Sequence, residues 1–113
     1  FNKNIHYLGW CNSEQVINNM LASDIACFPG THSVLWEQAV GVGLPCILKY
    51  WNEMTHMNIN DNCSFIKKEN TEELIDIISK TIDNSTLSQM RTKAIEASKY
   101  FLYSDIAKKA ICF

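Results

Sequence analysis

The sequence lacks any long apolar run, so no stretch approaches the length of a membrane-spanning helix. It also lacks a recognisable signal peptide, an internal repeat and a low-complexity segment. Neither sign of charge dominates, and a formal net charge of −2 gives no reason to expect nucleic acid or an anionic membrane as a partner. These features predict one modest globular domain over residues 1–113.

The cysteines lack a Cys-x-x-Cys pair, and the histidines lack metal-ligand spacing. Five cysteines is an odd number, and Cys27 and Cys46 fall inside predicted buried strands. Small buried hydrophobes in a reducing compartment are therefore favoured over disulfides or a metal site. His6, His32 and His56 do not share one element, and we expect no structural metal.

The central part of the chain, residues 24–49, predicts a βαβ unit. A short apolar run at 24–28 is followed by a polar loop and by an almost wholly apolar segment, 34–42. The apolar segment is predicted to be a helix that ends at Gly43-Leu44-Pro45, and residues 46–48 are predicted to form a second apolar strand. The two strands should be parallel, and their lack of polar alternation is typical of a sheet covered on both faces.

The remaining segments extend this unit into an α/β domain. We expect strands at 5–8 and 63–66, and a helix from the N-cap Ser13 to about Ala22. Three further helices are predicted: one at 71–82, one that follows the break at Asn84-Ser85 and ends near residue 101 or 102, and a short one at 104–110. The long loop 50–62 is expected to contain a helical turn at 54–58. The order predicts a doubly wound, Rossmann-like, mostly parallel sheet of about four strands flanked by helices.

Three loops, 9–12, 29–33 and 50–56, should share the edge of this sheet where ligands bind in open α/β folds. Free amides after Gly30 would suit a phosphate. Glu37 is unusual in its apolar helix, and two interpretations remain open. It is either an acid favoured by the helix dipole, or a carboxylate that accepts hydrogen bonds from a ribose diol.

The segment NIHYLGWCNSEQVINNMLASDIACFPG resembles the C-terminal domain of GT-B fold glycosyltransferases. The continuation, a Gly/Ser loop, then Glu37, Ala39 and Gly43-Leu44-Pro45, is similar to the donor-binding segment of that fold, and TEELIDIISKTI resembles its closing helices. The similarity covers nearly the whole chain. The Glu…Gly-x-Pro part is its most specific piece.

The resemblance implies an enzyme that transfers a sugar from a UDP- or GDP-type donor to a sugar, lipid-linked or polysaccharide acceptor. It implies no cofactor and no tightly bound metal, because the helix N-terminus and basic groups stabilise the departing diphosphate. A cytoplasmic role in bacterial polysaccharide biosynthesis is expected by analogy, with any peripheral membrane association provided by the absent half. The implied donor-binding residues are Gly30, Thr31, His32 and Ser33 for the diphosphate, Glu37 or Gln38 for the ribose, and Asn52, Glu53 and His56 for the sugar.

Two basic residues of this region have two interpretations each. His32 either forms a local hydrogen bond or contacts the diphosphate. Lys49 either reaches a phosphate or extends its ammonium to water. The large aromatic Trp36, in contrast, is expected in the core.

The chain also departs from the family pattern. Pro29 stands where many retaining members have a glutamate, so a retaining mechanism is not implied. Counting back from Gly43 puts Gln38 at the ribose position, although a carboxylate such as Glu37 accepts from two hydroxyls at once. The acceptor domain and the first βα unit are missing, and the chain opens on Phe1. We therefore expect a part of a longer protein that binds nucleotide weakly and has no transferase activity alone.

Two alternatives remain. A nucleotide-sugar 2-epimerase has the same fold, and the run from Glu37 to Pro45 fits its spacing, but Ser33-Val34 replaces a glycine pair and Gln38 replaces a second glutamate. A non-catalytic, flavodoxin-like binding module would use the same βαβ frame, with Glu37 only at a helix start.

Overall fold

The computed structural model describes residues 3–68 and 70–101. Within them the chain forms four α-helices, one 3₁₀ helix and an open three-stranded parallel sheet, an arrangement consistent with a Rossmann-like unit. The predicted helix at 104–110 and Cys112 lie outside the described residues. The elements in chain order are α1 Ser13–Leu21, β1 Ala26–Phe28, α2 Val34–Gly41, β2 Cys46–Lys49, β3 Cys63–Ile66, α3 Thr71–Thr81, α4 Asn84–Ser98 and the 3₁₀ helix Lys99–Phe101.

The sheet has the order β1-β2-β3, and each neighbouring pair is parallel. Helix α2 connects β1 to β2, which confirms the predicted βαβ unit. The second crossover, from β2 to β3, contains no helix and consists of the loop 50–62. Parallel strands cannot be joined by a tight hairpin, so a connection of this length is needed to return the chain to the start of the sheet.

Helix α2 ends because its C-terminus is capped by a left-handed glycine. Gly43 has φ +86°, and its N–H donates to the Val40 carbonyl. The N–H of Leu44 donates to the Ala39 carbonyl, which completes the Schellman pattern. Pro45 follows and cannot continue a helix. The chain is thereby turned directly into β2.

The core lies between α2, the central strand β2 and the C-terminal helix. Trp36, Val40 and Met57 are fully buried, and β2 is buried along three of its four positions. The burial of Trp36 confirms its predicted place in the core. Helix α4 contributes the small buried residues Ala94 and Ala97, which let α2 approach closely.

The predicted strand at 5–8 is wrong: these residues are not in a strand. Ile5, Tyr7 and Leu8 are all more than half exposed. A short extended segment is stable as a strand only when a neighbour satisfies its backbone groups. The sheet of about four strands is therefore a sheet of three among the described residues.

Other boundaries also differ from the sequence expectation. The N-cap of α1 is Asn12, not Ser13, because Asn12 forms a reciprocal capping box with Gln15. The predicted helical turn at 54–58 is replaced by two hydrogen-bonded turns, closed by Met54 N–H to the Trp51 carbonyl and Asn58 N–H to the Thr55 carbonyl. Three residues of the loop have positive φ, Glu53, Asn60 and Asp61, and Glu53 lies within the first of these turns.

Burial also corrects one cysteine prediction. Cys46 and Cys63 are buried on adjacent strands, whereas Cys27, predicted to be buried, is exposed on β1. Strand β1 lies at the edge of the described sheet, and its central side chain faces away from the core. The edge position explains the exposure, because one face of β1 has little cover.

Candidate functional site

The site lies at the carboxyl edge of the parallel sheet, where the loops after β1 and β2 meet the start of α2. Loop 29–33 supplies His32, α2 supplies Glu37 in its first turn, and loop 50–62 supplies His56. Each element is placed by the βαβ frame, since carboxyl ends of parallel strands point to the same edge. Residues far apart in the sequence are thus brought to one point.

The centre of the site is Oε1 of Glu37. His32 Nε2 lies 2.8 Å from this oxygen, and His56 Nε2 lies 3.2 Å from it. Each imidazole donates through Nε2–H in the tautomer that this geometry requires. Glu37 thereby connects the loops that follow two adjacent strands.

The other carboxylate oxygen of Glu37, Oε2, is buried and has no hydrogen-bond partner among the described residues. The side chain as a whole keeps 24% of its surface exposed, but Oε2 itself is buried. A buried acceptor without a partner is costly and uncommon. A donor or a cation that reached Oε2 after a shift of the neighbouring side chains would therefore satisfy it.

Aromatic packing fixes both imidazoles. The ring of His32 makes an edge contact with buried Trp36, with centroids 5.0 Å apart and planes at 84°. The ring of His56 is tilted against Phe101, at 6.4 Å between centroids. His56 is the more open of the two, with half of its side chain exposed, against 27% for His32. The cluster thus has a packed inner side and a solvent side.

The start of α2 lies at this edge and is capped by its own residues. Ser33 is the N-cap, and its hydroxyl accepts from the Leu35 N–H, while the Trp36 N–H donates to the Ser33 carbonyl. Gly30 and Thr31 precede it on an exposed part of the loop. A Cβ added at Gly30 would meet no atom within 4 Å, so there is open space beside this residue.

Four other predicted site residues lie outside the cluster of His32, Glu37 and His56. The Nζ of Lys49, at the end of β2, lies 4.4 Å from the centroid of the Trp51 ring. The other three are Asn52 and Glu53, which are exposed, and Gln38, which is half-buried on α2.

The strand predicted before loop 9–12 is absent. The backbone turns at Gly9 with φ +68°, and Trp10 is 98% exposed. Residues of this loop nevertheless line a cavity together with Phe28 at the end of β1 and Leu35 in the first turn of α2. The loop therefore lies beside β1 and the start of α2, although no strand leads into it.

The residues that hold the long loop were not predicted from the sequence. Asn62 is fully buried, and its side-chain amide donates to the Met57 carbonyl at 3.1 Å and accepts from the Ile59 N–H. Met57 is fully buried next to His56. The apolar residues Met57 and Ile59 in a mostly polar stretch were the available signal, because buried apolar side chains anchor a loop that has no helix or strand of its own.

The three ligand-type atoms of His32, Glu37 and His56 lie within 4.8 Å of one another. The expectation of no metal rested on the separation of the histidines along the chain, and the fold removes that separation.

No helix of the described residues is long and apolar enough to cross a membrane. Comparisons of the chain with protein families, curated protein sequences and solved structures found no match.

Proposed function

We propose that the chain is the donor-binding domain of a GT-B glycosyltransferase, in which Glu37 accepts hydrogen bonds from the ribose of a nucleotide-sugar. The observation that carries the proposal is the position of Glu37 at the carboxyl edge of a parallel sheet, with one carboxylate oxygen buried and unpartnered. Open α/β sheets bind nucleotides at this edge. A carboxylate can accept a hydrogen bond from each of the two adjacent hydroxyls of a ribose.

The neighbouring groups support the same assignment. The exposed loop of Gly30 and Thr31, which precedes the start of α2, would present backbone N–H groups to a diphosphate. His32 and Lys49 would add donors as negative charge accumulates on the departing nucleotide. Asn52, Glu53 and His56 on loop 50–62 would contact the sugar. In this proposal the domain is one doubly wound half of the GT-B fold.

Transfer itself would require the other half. In a two-domain cleft the acceptor and the groups that orient it come from the N-terminal domain, so the 113-residue chain is expected to bind nucleotide weakly and to transfer nothing. The proposal extends to a cytoplasmic enzyme of bacterial polysaccharide synthesis, without a cofactor, acting on a sugar, lipid-linked or polysaccharide acceptor.

Thermal unfolding with UDP, GDP and their sugar derivatives tests donor binding, in the presence of EDTA so that stray cations do not occupy the site. A nucleotide at ten times its dissociation constant stabilises the folded state by about 1.4 kcal/mol. For a domain of this size that free energy raises the melting temperature by several degrees. The shift should disappear in Glu37→Ala. Unchanged melting with every nucleotide at millimolar concentration would overturn the proposal.

Two further variants sharpen the result. Glu96→Ala removes an exposed carboxylate from α4, far along the chain from the site, and should retain the full nucleotide shift. Gln38→Ala tests the other residue that the family spacing indicates for the ribose. If the shift is lost in Gln38→Ala and kept in Glu37→Ala, nucleotide binding stands and the role assigned to Glu37 is wrong.

A further inference from the structure

We propose that His32, Glu37 and His56 form a binding site for a zinc-type divalent cation, independent of any nucleotide. The site would use Nε2 of both imidazoles and the Glu37 carboxylate as its three protein ligands. A fourth position would face solvent on the side of His56, whose side chain is half exposed. Three protein ligands and one open position is a common arrangement for zinc.

The distances fit this assignment. Zinc binds imidazole nitrogen and carboxylate oxygen at about 2.0–2.2 Å, so tetrahedral ligand atoms lie roughly 3.3 Å apart. The Glu37 oxygen is 2.8 Å from one imidazole nitrogen and 3.2 Å from the other. The three ligand atoms lie within 4.8 Å of one another, so the two imidazoles would move closer together to admit the ion. Two imidazoles and one carboxylate favour zinc and its transition-metal neighbours over Mg²⁺ or Ca²⁺, which prefer oxygen ligands alone.

The unpartnered oxygen of Glu37 is the second observation. In the metal-free arrangement both imidazoles donate to Oε1, and Oε2 is buried without a donor among the described residues. A cation held by the carboxylate would interact with Oε2 as well as with Oε1, so Oε2 would no longer lack a partner. The packing of His32 against Trp36 supports preorganisation, because it limits the ring motion that binding would otherwise have to freeze.

Calorimetric titration of the metal-free protein with ZnCl₂ tests the site, with MgCl₂ as the control cation. We expect one Zn²⁺ per chain and no binding of Mg²⁺. His32→Ala, Glu37→Gln and His56→Asn should each weaken zinc binding at least about tenfold. His6→Ala should leave it unchanged, because His6 is an exposed histidine outside the cluster. His56→Asn alters an exposed loop position and so carries the least risk to folding.

Two controls exclude other zinc ligands. Cys11 and Cys27 are at least partly exposed and would bind zinc through sulfur, so the titration is repeated with both replaced by serine. In the metal-free state both site imidazoles carry the proton on Nε2, whereas zinc binding through Nε2 requires the Nδ1–H tautomer. Nitrogen-15 NMR should therefore show a tautomer change at His32 and His56, and none at His6.

Zinc uptake that is unchanged in all three site variants would overturn the proposal, as would uptake lost in the cysteine double variant. The readouts contain no nucleotide, so they are distinct from the donor-binding test. Failure to bind zinc leaves the proposed function standing, and failure to bind nucleotides in EDTA leaves the zinc site standing.

Discussion

Oε1 of Glu37 and Nε2 of His56 lie 3.2 Å apart, although nineteen positions separate the residues in the sequence. This contact joins helix α2 to the loop that carries the chain from β2 to β3. The loop has no helix of its own, so its position depends on a few anchors. The anchor that lies closest to β3 is Asn62.

Replacing Asn62 by Ala should destabilise the fold by about 1–3 kcal/mol. Asn62 is fully buried, and its loss would leave the Ile59 N–H without its acceptor and the Met57 carbonyl with only the weak thiol donor of Cys63. Urea unfolding measures the free energy change. Asn18→Ala, at an exposed position of α1, is the matched control and should change stability by less than about 0.5 kcal/mol. Equal stability of the two variants would show that the amide does not hold the loop.

Replacing Gly43 by Ala should also destabilise the fold, by about 1 kcal/mol or more, because a side chain at φ +86° is strained. The matched control is Gly30→Ala, which has open space around it and no positive φ. Gly30→Ala should be neutral or slightly stabilising, since alanine restricts the unfolded chain. A Gly43 variant with an unchanged denaturation midpoint would contradict the assigned helix cap.

The βαβ unit was predictable because its signals are local. Gly43-Leu44-Pro45 ends α2 through backbone geometry that the residue types impose, and 46–48 and 63–66 are strands as expected. The helical spacing of Met90, Ala94 and Ala97 likewise corresponds to a buried face of α4. Local sequence was sufficient wherever a turn or a periodic face determines the element.

The remainder depended on partners that a single stretch of sequence does not reveal. Residues 5–8 have the composition of a strand, but a strand also needs a neighbour to pair with. The meeting of His32 with His56 depends on where the loop 50–62 returns across the sheet edge, and that path depends on the buried Met57 and Asn62. The sequence therefore predicted residues along the edge of the sheet, but it did not predict that His32, Glu37 and His56 contact one another there.

The thiols should differ sharply in reactivity. A hydrogen bond with Cys63 and burial raise the pKa of the Cys46 thiol well above its usual range. Partial desolvation raises the pKa of Cys27, although its side chain is exposed. Only the thiolate is nucleophilic, so iodoacetamide at neutral pH should modify Cys46 only after unfolding. Mass spectrometry of pulse-labelled native protein measures this, and rapid native labelling of Cys46 would contradict it.

The raised thiol pKa values also predict how the free energy of unfolding changes with pH. The folded state keeps protons that the unfolded state loses above about pH 8.5, the ordinary thiol pKa. The free energy of unfolding should therefore be fully retained below that pH, and the contribution of these thiols should fall as the pH rises above it. Cys46→Ala should flatten the decrease between about pH 8.5 and 10 measured by urea unfolding. An equally steep decrease in this variant would exclude Cys46 as its source.

Zinc and nucleotide should compete, because both proposals assign the Glu37 carboxylate to their ligand. A cation held by the carboxylate would occupy the acceptor atoms that a ribose diol also needs. Zinc at a hundred times its dissociation constant should therefore weaken nucleotide binding about a hundredfold. Calorimetric titration with UDP or GDP, whichever binds, in buffer with and without zinc, measures the change. Since free nucleotides also bind zinc, their complex is quantified separately and subtracted. Tighter nucleotide binding in the presence of zinc would instead mean that the cation bridges protein and diphosphate, and would exclude competition for Glu37.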